Sequence, residues 1–158
     1  MQKQKITTCL WFDDRAEEAA RYYTSLFPDS RITDVQYYGE AGPREPGSVM
    51  TVTFELAGRE FIALNGGPEF AFSEAVSLSV DCADQAEVDE LWAGLTDGGE
   101  ESRCGWLKDR YGLSWQIVPR ELPELLNHPD PAVSQQVVKA MLGMGKIDVR
   151  ALREAAGK

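Results

Sequence analysis

The chain writes the order strand, helix, strands twice, at an offset of 70 residues, so that Ile6 falls on Val76, Leu10 on Val80, Asp14 on Asp84, Ala16 on Ala86, Glu17 on Glu87 and Tyr22 on Trp92. A repeated order of elements restricts the fold strongly, because each copy must bury the same faces in the same way. In the first copy, Ile6 to Phe12 alternates as a strand, with Ile6, Leu10 and Phe12 on one side and Thr7, Cys9 and Trp11 on the other. From Arg15 to Phe27 apolar residues recur at helical spacing, with Asp13 or Asp14 as the cap and Pro28-Asp29-Ser30 as the stop. Arg31 to Tyr38 reads as a strand, Ser48–Leu56 and Arg59–Leu64 as a hairpin turning at Ala57-Gly58, and Asn65-Gly66-Gly67-Pro68 as a sharp turn. The second copy opens with a strand from Ala75 to Asp81, placing Val76, Leu78 and Val80 on one face and Ala75, Ser77 and Ser79 on the other. Asp84 then caps a helix reaching Thr96.

The hairpin that closes the second copy is unusually polar. Cys104–Lys108 and Leu113–Val118 alternate around Asp109-Arg110-Tyr111-Gly112, so Cys104, Trp106 and Lys108 share one face, as do Ser114, Gln116 and Val118. A face carrying a thiol, an indole, an ammonium, a hydroxyl and an amide reads as the wall of a pocket. Beyond Pro119 the character changes to short helices at Leu122–Asn127, Val133–Leu142 (opened by Asp130-Pro131) and Asp148–Ala156. Their apolar stripes require cover, either on their own domain or on a second chain.

Composition narrows the classes of function. The 158 residues carry a formal charge of -10, which argues against nucleic acid or an anionic membrane surface as partner. No apolar run approaches the roughly 18–20 residues of a membrane span, and Met1-Gln2-Lys3-Gln4-Lys5 leads into a strand, not a leader core, so a cytoplasmic protein is expected. Three cysteines, Cys9, Cys82 and Cys104, fit neither a disulfide framework nor a zinc motif and read as reduced thiols.

Four stretches, Leu10-Trp11-Phe12-Asp13, Tyr22-Tyr23-Thr24-Ser25-Leu26-Phe27-Pro28, Leu64-Asn65-Gly66-Gly67-Pro68 and Cys104-Gly105-Trp106-Leu107-Lys108-Asp109, resemble the vicinal oxygen chelate superfamily of glyoxalases, bleomycin-resistance proteins and dioxygenases. The nearest branch is the PhnB-like one, whose members often carry the label demethylubiquinone methyltransferase. The resemblance implies an α+β fold of two β-α-β-β-β modules, 1–68 and 69–119, forming curved mixed sheets around a cavity. Residues 120–158 follow as a helical extension of the same structural domain, and relatives of this kind usually form homodimers. Metal-using relatives place His, Glu or Gln ligands on the first and fourth strands. Here those places fall on Thr7, Ala63, a residue near Ala75 or Ser77, and Gln116, so neither a metal nor another cofactor is expected. The only histidine, His128, lies in the tail. A methyltransferase is not expected either, because no glycine-rich loop follows a strand and no alternating strand-helix series is present.

The expected function is metal-independent binding of an unidentified small molecule by Thr7, Cys9, Trp11, Asn65, Ser77, Ser79, Trp106, Ser114 and Gln116, with Cys104 on the same face. One alternative is an enzyme acting on a small electrophile through Cys104, which Arg103 and Lys108 would activate in the absence of a histidine base. Another is a vestigial cavity in a protein that acts through its dimer surface. Plainer readings stand beside these. Cys9, Cys82 and Trp115 read as core, and Asn65 as the partner of its own turn. Lys108, Asp109, Glu17-Glu18 and Glu100-Glu101 read as solvated charges, and Asp13 and Asp14 as caps.

Overall fold

The computed structural model describes residues 4–158; Met1, Gln2 and Lys3, part of the stretch read for a leader, lie outside the described residues. The chain divides into two compact units, Met1–Ala71 and Phe72–Lys158. Among the described residues no helix is long and apolar enough to cross a membrane.

The first unit runs β1 (Thr8–Phe12), α1 (Ala16–Leu26), β2 (Arg31–Tyr37), β3 (Val49–Leu56) and β4 (Arg59–Asn65). Its sheet has the order β1-β4-β3-β2, with β1 parallel to β4 and the other pairs antiparallel. Helix α1 therefore carries the chain from one edge of the sheet to the other, and a meander brings it back. Leu10, Phe12, Val52, Phe54, Phe61 and Ala63 are buried with Ala16, Ala19, Ala20 and Tyr23 of α1, and Tyr23 packs against the Phe54 ring. Strand alternation leaves Cys9 and Trp11 on the opposite face, beside Ile62 and Leu64 of β4. The turn at Ala57-Gly58 places both residues in the left-handed region, at φ 50° and 80°, the conformation of a two-residue hairpin turn.

Three expectations for this unit are corrected. Ile6 precedes β1 and is 83% exposed. Its counterpart Val76 likewise precedes its strand and is exposed, so the repeat extends even to this displaced position. Cys9 is exposed on the open face and is not core. Neither Asp13 nor Asp14 caps α1: the N-cap is Arg15, without a side-chain cap bond, and the Ala16 amide donates to Asn65 Oδ1 at 2.8 Å. The physical reason is one residue of helix register. Helix α2 starts directly after Asp84, whereas α1 starts two residues after Asp14, which leaves that aspartate outside the cap position.

The second unit repeats the plan with β5 (Ser77–Cys82), α2 (Gln85–Thr96), β6 (Glu100–Glu101), β7 (Trp106–Lys108) and β8 (Ser114–Pro119) in the order β5-β8-β7-β6. Again the first strand pairs in parallel with the last. Two unclosed four-stranded mixed sheets, each with a helix, make this an α+β protein. Here the cap is local and reciprocal: Glu87 N–H donates to Asp84 Oδ1 at 3.0 Å while Ala83 N–H donates to Glu87 Oε1 at 3.0 Å. Leu107, Trp115, Ile117 and Cys82 are buried with Val88, Leu91, Trp92 and Leu95 of α2. Trp115 is thus core, as its alternation with Gln116 requires.

The extension forms α3 (Glu121–Leu126), α4 (Pro131–Leu142) and α5 (Val149–Ala155), and its stripes are covered within this unit. Leu122, Leu125, Val137, Ile147 and Leu152 form a core against which Val118 of β8 packs. Gln85 of α2 clamps the start of α5, donating to Ile147 O at 3.0 Å and accepting from Val149 N–H at 2.7 Å. Met144 O and Gly145 O accept the amides of Cys104 and Gly105, both at 2.8 Å. A side chain at Gly105 would meet Ile117 O at 3.0 Å and Ile147 Cγ1 at 3.1 Å, and its φ of 84° also demands glycine.

Asp109 is a further correction, since it is 3% exposed and not solvated. One carboxylate oxygen accepts the amides of Tyr111 and Leu113 at 2.8 and 3.1 Å, and the other accepts Trp115 Nε1–H at 2.9 Å. The aspartate thus ties the turn of the β7–β8 hairpin to the core indole beneath it.

Two outcomes follow from this packing. Asp109→Ala removes the acceptor of two buried donors, Leu113 N–H and Trp115 Nε1–H, and of the part-buried Tyr111 amide, and is expected to lower stability by about 3 kcal/mol, read as a shift of the urea midpoint at unchanged slope. Cys82 is fully buried beside Glu87 and Asp81, and burial first, then those carboxylates, pushes its thiol up to about 12. It is expected to resist iodoacetamide at pH 8 in the native protein and to react once the chain is unfolded in urea, as peptide mass spectrometry can show.

Candidate functional site

Period-two alternation sorts each sheet into a helix-covered face and an open one, and most of the residues singled out from sequence lie on the open faces. In the first unit, half-buried Thr7 directs Oγ1 toward Glu60 Oε2 at 3.5 Å, and Cys9 and Trp11 follow on β1. Trp11 donates Nε1–H to Gly67 O at 2.9 Å and meets the Phe70 ring edge-on at a centroid distance of 4.8 Å. Gly66 lies under the same indole, where any Cβ would stand 2.4 Å from Trp11 Cζ2, so the Gly66-Gly67 turn exists to seat this tryptophan. Asn65 faces the other way. Its Oδ1 caps α1, its Nδ2–H donates to Val49 O at 3.1 Å, and its own carbonyl accepts the Tyr38 hydroxyl at 2.5 Å. Both ends of that amide serve the fold.

In the second unit the strand registers bring the expected residues, together with Glu100, into two rows. Ser77, Ser114, Lys108 and Glu100 stand opposite one another across all four strands, and Ser79, Gln116 and Trp106 form the adjacent row. Gln116 donates Nε2–H to Ser77 Oγ at 3.0 Å, which links the rows. Lys108 pairs with Glu74, a residue of the segment before β5; the hydrogen bond to that carboxylate raises the lysine pKa and lowers that of Glu74. Ser114 is fully buried, and its Oγ has no hydrogen-bond partner among the described residues. A buried hydroxyl left in this state forfeits a hydrogen bond that water would have supplied, and such groups call for an explanation. Around it lies a cavity of about 190 Å³ lined by Glu74, Glu100, Trp106, Lys108 and Ser114, among others.

Cys104 departs from the strand expected for it. It sits in the turn before β7 at φ 59°, a left-handed conformation that breaks the alternation linking it to Trp106 and Lys108. The Met144-Gly145 segment holds that turn through the two amide bonds already described, a tertiary contact that local alternation does not reveal.

The places that hold metal ligands in metal-using relatives carry the wrong chemistry here. Ala63 is fully buried on the helix-covered face and offers no donor. Thr7, Ser77 and Gln116 provide only neutral oxygens, whereas an open divalent site is built from imidazoles and carboxylates. Among the described residues no group of three or more His, Cys, Asp or Glu side chains is arranged to hold a metal ion. His128 lies between α3 and α4, with Nδ1 accepting the Asp130 amide at 3.0 Å. These residues do not fit a divalent metal ion.

Glu74 and Glu100 were not among the residues predicted to line a pocket. Strand β6 is too short to show alternation, and Glu74 reaches Lys108 only through the folded chain. The polar alternation of β8 was the one local signal pointing toward them.

Comparison with known proteins agrees with this architecture. A PhnB protein from Bacillus cereus, carrying the 3-demethylubiquinone-9 3-methyltransferase description, is 39% identical, with 73% of this chain and 99% of that one covered and a TM-score of 0.68. Protein PA1353 from Pseudomonas aeruginosa (18% identity, 74% and 98% covered, TM-score 0.63) shares the fold. So does the fosfomycin resistance protein FosX from Mesorhizobium loti (15% identity, 74% and 91% covered, TM-score 0.52). No curated protein matches. The family model for 3-demethylubiquinone-9 3-methyltransferase matches residues 4–118, the two sheet-bearing repeats without the helical extension. The chain therefore belongs to the PhnB-like family named 3-demethylubiquinone-9 3-methyltransferase, within the vicinal oxygen chelate superfamily.

Proposed function

We propose that this PhnB-like protein binds a small organic molecule, without a metal ion, on the open face of its second sheet. The observation that carries the reading is the buried, unpartnered Ser114 Oγ beside a cavity of about 190 Å³. A ligand that moves aside the side chain of Lys108, which stands opposite Ser114 in register, reaches this buried hydroxyl and supplies what the fold leaves out, and the half-buried Trp106 indole provides a stacking surface next to it. Gln116 and Ser77, already joined, present further neutral groups that fix orientation without demanding a charge.

Neither catalytic description of the chain gains support from this arrangement. Methyl transfer requires a site for the donor, and the two strand-to-helix turns, Asp13-Asp14-Arg15 and Ala83-Asp84, carry no glycine with which to cradle a nucleotide cofactor. Covalent chemistry through Cys104 needs a neighbouring base, while the Lys108 ammonium is held protonated by Glu74.

Titration of the full-length protein with a panel of metabolites and antibiotics, followed by tryptophan fluorescence, is expected to reveal saturable quenching that persists in excess EDTA. Trp106→Phe should abolish most of that signal and weaken binding by roughly fivefold to tenfold. Binding that requires a stoichiometric divalent ion, or quenching unchanged in Trp106→Phe, would overturn the proposal.

A further inference from the structure

The charges around the second-sheet cavity define the chemical class of its occupant, an inference that rests on the binding function proposed above. Two carboxylates stand on the cavity face, those of Glu74 and Glu100, against one cation, Lys108. Lys108 and Glu74 neutralise each other as a pair. Glu101, next along β6, faces the other way: it stands opposite buried Leu107 and accepts Trp92 Nε1–H of α2 at 2.6 Å, so its charge lies outside the cavity. Glu100 stands opposite Lys108 on the edge strand, one further carboxylate than that ammonium needs. The pocket is therefore net negative even with its own lysine in place. Beside these charges lie the Trp106 ring, whose face attracts cations, and the unpartnered Ser114 hydroxyl, which can accept an N–H. Glu74 and, more weakly, Glu100 favour the protonated form of Lys108.

We infer that the cavity selects a small amine, with its ammonium held by Glu100 and Ser114 and its apolar body against Trp106. An organic anion would meet the opposite field, and a neutral ligand would gain nothing from it. The volume suits a single ring, since a cavity of roughly 150 Å³ takes up benzene. The Lys108–Glu74 pair is half-exposed, with side chains 38% and 60% accessible. Pairs of this kind contribute little net stability, so an incoming ammonium can exchange with Lys108 at small cost.

The test compares benzylammonium, benzyl alcohol and benzoate by calorimetry on the full chain at low and high salt. Benzylammonium is expected to bind on the order of tenfold tighter than the other two, with the margin shrinking at high salt. Glu100→Gln should reduce the preference, and Lys108→Met should strengthen benzylammonium binding several-fold by removing the resident ammonium. Ser114→Ala should weaken binding; because it alters a buried site, the exposed Glu100→Gln provides the independent check. Benzoate or benzyl alcohol binding as tightly as benzylammonium, or Lys108→Met binding benzylammonium more weakly, overturns the inference while leaving small-molecule binding intact. Binding by none of the three overturns it as well; if the metabolite and antibiotic panel also fails, the proposed function falls with it.

Discussion

The parallel pairing of each unit's first strand with its last is the constraint on which the rest of the structure depends. It requires a helix to carry the chain across the sheet, and that helix covers one face only. Once one face is covered, alternation assigns every side chain: Leu10 and Phe12 are buried while Cys9 and Trp11 are not, and Trp115 and Ile117 are buried while Gln116 stays open. A slip of one residue in β8 would bring Ser114 and Gln116 under α2 and push Trp115 into the open, so the register is set by the cost of exposing that core.

Buried polar groups make the pairings specific. Asn65 and Asp109 occupy related positions, each where a strand meets a turn, and each spends its side chain on backbone amides or carbonyls that would otherwise lack partners. Their satisfaction contrasts with Ser114, the only buried side-chain oxygen or nitrogen without a partner among the described residues. A fold that meets its hydrogen-bonding requirements with such economy at Asn65 and Asp109, yet leaves one buried hydroxyl unpaired beside a cavity, is the contrast on which the proposed ligand site rests.

The helical extension is integral to the second unit. It supplies a core of its own against Val118, accepts the amides of Cys104 and Gly105, and is clamped by Gln85. Holding Gly105 in turn continues the β8 ladder, because Gly105 O accepts the Ile117 amide at 2.8 Å. Residues outside the family's matched segment thus brace the hairpin that carries Trp106 and Lys108.

The duplication, the α+β class, the family and the face occupied by Trp106, Ser114 and Gln116 were all legible in the sequence by itself. Each depends on local periodicity or on short motifs, and those survive without knowledge of the fold. The displaced start of β1, the capping of α1 by Asn65 and the burial of Asp109 were not, because each is decided by a partner distant in the chain or by a single residue of helix register. The same holds for the site. Alternation placed Lys108 on the open face, but only the tertiary structure brought Glu74 and Glu100 to it, removed Cys104 from the strand and left the Ser114 hydroxyl without a partner. Periodicity encodes which way a side chain points; what it meets there depends on contacts made across the sheet.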